Sequence, residues 1–476
     1  MDKKDNFDYV KHLCNRAGFG ISYPALHQLS KRRINKVVDG LFTLPADTTE
    51  LQTVTAEEYE AQQLILASLN GRKDQSPAEK QQREEITKTR NEKSRLLNID
   101  WIRQMIATKN PLLEKTTLFW HGHFACRSNN PYFSQQLNNI QRKNALGSFR
   151  TLLIEVSQSP AMLDYLNNQQ NRKGHPNENF ARELMELFTL GRGNYSETDI
   201  KEAARAFTGW SYNKTGQFVF NKKVHDEQVK TFFGGSGNFD GEAIIDKILE
   251  KRETAVFICR KLYVFFVNDT PNETHVAELA NEFYSQQYSI TAVMKKLFTA
   301  AWFYGAENRG NKIKSPIELL VNLSREFQVT YHKPQVLIRL QTSLGQYLFN
   351  PPNVSGWQGG KSWIDSSSLM LRLKIPSLVL NDGILDFNGK ADPEDEAVIA
   401  LNRKTNQPIP AKSYVNAEAN WSAFLQSLPK NMKQVELAAF LLQPIVGKKI
   451  SELVSSNQSL KNTAIAVTSM PEYQLC

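Results

Sequence analysis

At 476 residues the chain exceeds the size at which one core usually keeps growing, so one large domain with appendages, or two, is expected. Its 41% hydrophobic and 22% charged residues are ample for a core, and no run approaches the ~18 apolar residues of a membrane span, so none is expected. The net charge of +9 is dispersed, without the basic stripe and interleaved aromatics that would indicate nucleic acid, and Cys14, Cys126, Cys259 and Cys476 are too far apart to suggest a thiolate metal site or a disulfide framework.

Residues 6–43 read as three short helices, with Gly18 and Gly20 at a turn and Pro24 near the second start. Residues 56–108 read as two long helices interrupted between Gly71 and Pro77. From Ala78 to Arg95 Ile86 is the one strongly apolar residue in a crowd of Lys, Arg and Glu, so a charged helical arm at about 72–98 is expected. Pro111 to Phe124 ends in His121-Gly-His123. Residues two apart on a helix diverge by about 200°, so these two imidazoles share an ion only if Gly122 breaks the helix.

From His175 to Trp210 two helices are strongly signalled. Asn177 suits a cap, with Glu178 in the first turn; Phe180, Leu184, Leu187 and Phe188 form an apolar stripe, and Gly191 follows the end. Ser196 and Asp199 resemble a capping box before a second stripe of Ile200, Ala203, Ala204 and Phe207. Asn179, Glu183 and Glu186 fall within about a 60° sector, and Glu183 borders the apolar face, which implies half burial. Arg182 can reach Glu186 four residues on. An Arg–Glu lattice locking the helices and a paired-carboxylate acid/base or metal site are both consistent with this pattern.

Further on, Gln217 to Gly234 breaks the helical rhythm and reads as a β-hairpin at about 217–234, with His225 and Asp226 near its turn. Helix returns over 239–268, 273–304 and 313–327, where Ser315 precedes Pro316 at a helix start. Asn350-Pro-Pro-Asn-Val-Ser-Gly-Trp-Gln-Gly-Gly-Lys-Ser-Trp363 is a glycine-rich loop whose tryptophans either plug the core or stack a sugar. The fold class expected is mainly α, a large multi-helix, bundle-like domain over 1–382 with the small β-hairpin insertion. An irregular insertion or linker over 383–420 and a C-terminal helical segment, 421–476, packing on the main domain complete it.

His-Pro-Asn-Glu-Asn-Phe-Ala-Arg-Glu-Leu-Met-Glu-Leu-Phe-Thr-Leu-Gly, from His175 to Gly191, resembles the signature of the bacterial DUF1800 family, which lacks an assigned activity. His12-Leu-Cys-Asn-Arg-Ala-Gly-Phe-Gly20, the block from Pro111 to Phe124, and Leu344-Gly-Gln-Tyr-Leu-Phe-Asn-Pro-Pro-Asn-Val-Ser-Gly-Trp357 are similar to further family blocks, in the same order. The resemblance implies frequent export and a partner of the sulfatase-like DUF1501 type. The Met-Asp-Lys-Lys-Asp-Asn-Phe-Asp start has no apolar signal segment, so the chain as it stands is expected to be cytoplasmic unless its sequence begins after the signal.

The sharpest enzyme reading gathers these groups in one cleft on a polar, cell-surface type of substrate. Glu183, Glu186, Arg182 and His175 would be catalytic; Asn177, Asn179, Arg192, Asn353 and Trp357 would bind ligand. His123, His175, His225 and Asp226 would hold a divalent transition metal. No His-Glu-x-x-His, Gly-x-Ser-x-Gly or phosphate loop supports a specific reaction. The competing reading is a non-catalytic binding or assembly protein for carbohydrate, another polar ligand or the DUF1501 partner.

Overall fold

The computed structural model describes residues 3–43, 50–69, 76–381, 384–386 and 412–476. The Pro111–His123 helix is its axis. Proline opens the helix, where its missing N–H costs nothing, and from Leu112 to His121 every side chain is buried. A helix buried on all faces is normally apolar all round. This one also carries Glu114 and Lys115, and each is neutralised by a different neighbouring helix. Glu114 accepts from Arg142, Trp101 and Gln104, while Lys115 donates to Glu318 and to the Gly18 carbonyl.

Around this axis the elements follow the expected order. The N-terminal part forms Lys3–Arg16, Tyr23–Leu29 and Ile34–Leu41. Ala56–Leu69 and Pro77–Ala107 form an antiparallel pair whose second member starts on a Ser76/Glu79 capping box. Arg90 to Gln62 and Lys93 to Glu58 link the pair, and apart from Ile86 the charged stretch is mostly open to solvent. The arm is thus a solvated helix; residues 72–75 of the expected span lie outside the described residues. Gly241–Leu249, Arg252–Phe266, Glu273–Ser285, Ile290–Thr299 and Pro316–Glu326 complete the body. Ser315 caps the last of these ahead of Pro316, as its sequence predicts, and the cap is a capping box with Glu318.

Strands among the described residues occur in two-stranded antiparallel sheets. The expected hairpin over 217–234 needs correction, because its two halves belong to different hairpins. Phe218–Phe220 pairs backward with Trp210–Tyr212, and Lys230–Phe232 pairs forward with Gly235–Gly237. Turn chemistry decides this: Asn213 Oδ1 accepts the N–H groups of Thr215 and Gln217 and closes the first turn, while Phe233 and Gly234 close the second. His225 and Asp226 therefore lie in the connection between hairpins.

Of the expected linker, Ile384–Asp386 pairs with Lys412–Tyr414 and Ala417–Glu418 with Thr330–Tyr331; residues 383 and 387–411 lie outside the described residues. The C-terminal helices Trp421–Gln426, Gln434–Leu441, Lys448–Ser455 and Leu460–Thr468 sit on the body, where Lys11 donates to the Ala439 and Leu442 carbonyls. One extensive core holds most buried apolar side chains; a smaller one, around Trp101, Phe19, Leu118 and Val321, lies against the other side of the central helix.

Candidate functional site

The signature segment is anchored at its start by buried asparagines. Asn171 Oδ1 accepts the Asn177 N–H at 2.9 Å, and its Nδ2 donates to Asn168 and to the Ala204 carbonyl. Asn177 accepts the Asn179 N–H but is not the cap expected of it: the helix starts at Asn179, so Glu178 holds the N-cap position, without a side-chain capping bond. Exposed Asn179 reaches the Leu166 carbonyl, and exposed His175 sits in a tight turn with its N–H on the Arg172 carbonyl.

The helix is α-helical over Asn179–Glu183 and widens to a π-helical turn over Leu184–Thr189. The Leu190 and Gly191 N–H groups both reach back to the Met185 carbonyl, at 2.9 and 3.0 Å. Gly191 closes the segment at φ +76°, and a Cβ there would lie 2.8 Å from the Phe257 ring. Such wide turns recur at functional sites. Here the turn presents the carbonyls of Leu187 and Phe188 sideways, to Lys261 Nζ at 3.2 Å and His123 Nε2 at 3.0 Å.

Most charges on this helix are paired, and not as the sequence suggests. Arg182 forks onto Glu197 at 2.8 Å with a third contact to Glu178; it does not bind Glu186. Glu186 is held instead by Arg192 at 2.6 Å and by the Tyr195 hydroxyl at 3.2 Å. Two causes account for the change: the π-helical turn shifts Glu186 off the α-helical i+4 position, and Glu197 offers the Arg182 fork two oxygens at once. Glu183 is half-buried as expected and has no hydrogen-bond or ion-pair partner among the described residues. Burial and the Glu186 charge push its carboxyl above the usual range, against the pull of Arg182 and Arg192.

The proposed metal ligands are not brought together. His123 is buried among Phe119, Phe124 and Phe188 at the C-terminal turn of the signature helix, whereas His175 precedes that helix's start. Burial, with Lys261 nearby, holds its imidazole well below the usual range. His225 is a core residue whose Nδ1 faces the Thr208 carbonyl at 2.8 Å, and Asp226 is held by the Arg205 fork. Among the described residues no three His, Cys, Asp or Glu side chains converge on one point.

The glycine-rich loop lies over the end of the central helix. Phe349 N–H donates to His121 Nε2 at 3.1 Å, and Gly356 packs against the Gly122 carbonyl. Half-exposed Trp357 packs on His121 with ring centroids 5.6 Å apart, while Trp363 is buried. Asn353 is exposed and turns back to accept the Ser355 N–H.

A groove of about 720 Å³ opens elsewhere, between the Pro131–Lys143 helix, residues 50–55 with the start of the Ala56–Leu69 helix, the start of the Pro160–Tyr165 helix and the first hairpin turn. Gln135 and Asn139, one helical turn apart, use both ends of their amides to hold the backbones of Val54 and Leu51, four bonds of 2.8 to 2.9 Å. That clamp fixes one wall. The groove's lining includes Tyr132, Gln136, Gln52, Gln158, Gln217 and Phe218, together with the charged Glu50, Lys143 and Glu155. Tyr132 stacks on Tyr59, centroids 4.7 Å apart at 18°, and Gln136 Oε1 is buried without a partner. Gly216 crosses close to Phe133 and Tyr132, where a Cβ would be 3.0 Å from the Phe133 ring. The sequence reading did not single out these residues; the density of amides in Gln135-Gln-Leu-Asn-Asn139 is the signal that was there to find.

A family model described as "Protein of unknown function (DUF1800)" matches residues 12–475. No curated protein and no solved structure matches.

Proposed function

The chain belongs to the DUF1800 family, and from that premise we propose that it is a binding protein for an extended, uncharged, hydroxyl-rich polymer of the carbohydrate class, seated in the groove beside Tyr132. The carrying observation is the lining. Side-chain amides that donate and accept, next to a rigid aromatic face, match hydroxyl groups and the apolar face of a sugar ring.

Isothermal titration against neutral oligosaccharides checks this. Wild type is expected to bind, and Tyr132→Ala to bind about tenfold more weakly, the ~1.4 kcal/mol of a lost aromatic contact. Gln136→Met, which keeps the volume and removes the amide, is expected to weaken binding with little change in thermal stability. Absence of binding to every neutral oligosaccharide, or binding indifferent to both substitutions, rules the groove out.

One observation favours an acid–base enzyme as a second reading: Glu183, unpaired and raised, stands beside Glu186, fixed by Arg192 and Tyr195, so neighbouring carboxyls sit in unlike environments. A carboxyl ¹³C NMR titration is expected to place Glu183 above the ordinary glutamate range, and Glu186→Gln to lower it by removing a like charge. A Glu183 that titrates at its ordinary value in wild type leaves no such asymmetry to exploit.

A further inference from the structure

The first hairpin has one covered strand and one open strand. Trp210–Tyr212 is backed by the Pro160–Tyr165 helix, where the Tyr212 hydroxyl donates to Asp164 at 2.6 Å. Phe218–Phe220 pairs with it on one side and has no strand on the other. The register fixes which backbone groups are open. The Asn213 N–H donates to the Gln217 carbonyl at 2.9 Å and the Asn221 N–H to the Gly209 carbonyl at 2.8 Å, so by alternation the hydrogen-bonded pair between them is Ser211 with Val219. The N–H and C=O groups of Phe218 and Phe220 therefore point away from the partner strand, and among the described residues no backbone group of another segment takes them. Phe218 packs on Trp210 and Phe220 on His225, with centroids 5.3 and 4.9 Å apart, so Val219 between them faces outward and is 39% exposed.

A second groove, of about 530 Å³, opens on that outer face, and Val219, Asn221, Lys222 and Lys223 help to line it. Asn221 Oδ1 accepts the Lys223 N–H and fixes the short turn Lys222–Val224. The Val224 carbonyl accepts the Lys173 N–H at 2.8 Å, which brings Arg172 and Lys173 to the same end of the strand. These four cations are exposed and form no ion pair among the described residues. Of the nearby acids, Asp226 is held by Arg205 and Glu178 by Arg182, which leaves Glu227 as the acid of this stretch outside an ion pair.

We propose that the Phe218–Phe220 edge captures an extended, acidic segment of a partner protein by strand addition. The segment pairs its N–H and C=O groups with those of Phe218 and Phe220, places apolar side chains on their face, and turns carboxylates outward to Lys222, Lys223, Arg172 and Lys173. Charge favours such a partner over a second copy of this chain, because two copies would bring like-charged edges together. The simpler role for lysines at an open edge is to keep it unpaired, and peptide binding separates the two.

Fluorescence polarisation with the full-length protein would use a labelled octapeptide of alternating glutamate and valine. It is expected to bind, and to bind about tenfold more weakly to the Lys222→Glu/Lys223→Glu variant, whose two exposed positions leave the core untouched. The same peptide with lysine in place of glutamate should not bind. Two further peptides carry methyl groups on the valine nitrogens or on the glutamate nitrogens; both keep the charge. A paired strand offers donors on one side only, so one of them should bind about tenfold more weakly and the other nearly as well as the parent. No binding up to about 1 mM peptide, indifference to the charge reversal, or equal effects of the two methylations overturns strand addition. A concentration-dependent dimer in sedimentation that the peptide does not dissociate would overturn it too, by assigning the edge to a second copy. The result does not depend on whether a glycan binds beside Tyr132.

Discussion

Urea unfolding of Glu114→Ala is expected to show a loss of about 3–5 kcal/mol relative to wild type, the range seen when one partner of a buried ion pair is removed. Glu114 and Arg142 are both almost wholly inaccessible, with side chains 2% and 1% exposed. The carboxylate accepts from Arg142 Nε at 2.8 Å, Trp101 Nε1 at 2.9 Å and Gln104 Nε2 at 2.9 Å. Truncation leaves a guanidinium uncompensated and an indole N–H without its acceptor, in a position water cannot refill without opening the core. Glu114→Gln keeps an acceptor but not the charge and should fall between. The double variant Glu114→Met/Arg142→Met removes both charges and should recover much of the loss, because two apolar side chains of suitable volume need no compensation. A loss below about 1 kcal/mol for Glu114→Ala would mean that Arg142 finds another anion or reaches solvent, contrary to the packing described.

The second large effect is acid lability. Burial alone would raise the Glu318 carboxyl, but Lys115, Lys312 and the Ser315 N–H outweigh it and bring it down to about 2 from an ordinary 4.5. A folded-state value below the unfolded one stabilises the fold at pH above about 4.5, and that stabilisation is lost as pH falls toward 2. The difference corresponds to about 3 kcal/mol. Stability measured at pH 7, 4.5 and 3 is expected to drop most steeply over the last interval. Glu318→Gln should start lower at pH 7, because Lys115 loses its counter-charge, and should show a flatter acid limb. A limb of equal steepness in wild type and variant would assign the acid sensitivity to other carboxyls.

How these charges pair is the part of the molecule least visible in the chain. Ser315-Pro316, and Ser196 with Asp199, signal helix starts within four residues, and both form as read. Phe180, Leu184 and Phe188 of the first stripe, and Ile200, Ala203, Ala204 and Phe207 of the second, are buried as their spacing requires, while Leu187 of the first is only partly buried. The family blocks are similarly local, and a match over residues 12–475 agrees with them. In each case the deciding interactions lie within a turn or two of the residue.

Partner choice is different. Lys115 meets Glu318 from 203 residues away, Glu114 meets Arg142 from 28, and Gln135 clamps Val54 from 81. Arg182 had a plausible partner at i+4 and took Glu197 instead, because a neighbouring helix offered better fork geometry. His123 and His225 looked like ligands in sequence, yet packing turned one onto a freed carbonyl and the other onto Thr208. Likewise, the groove has walls from four separated segments, so no one segment announces it. Capping, spacing and amphipathicity are set by near neighbours and were determined by the sequence alone; burial and hydrogen-bond partners depend on which distant surfaces meet, and only the tertiary structure decided those.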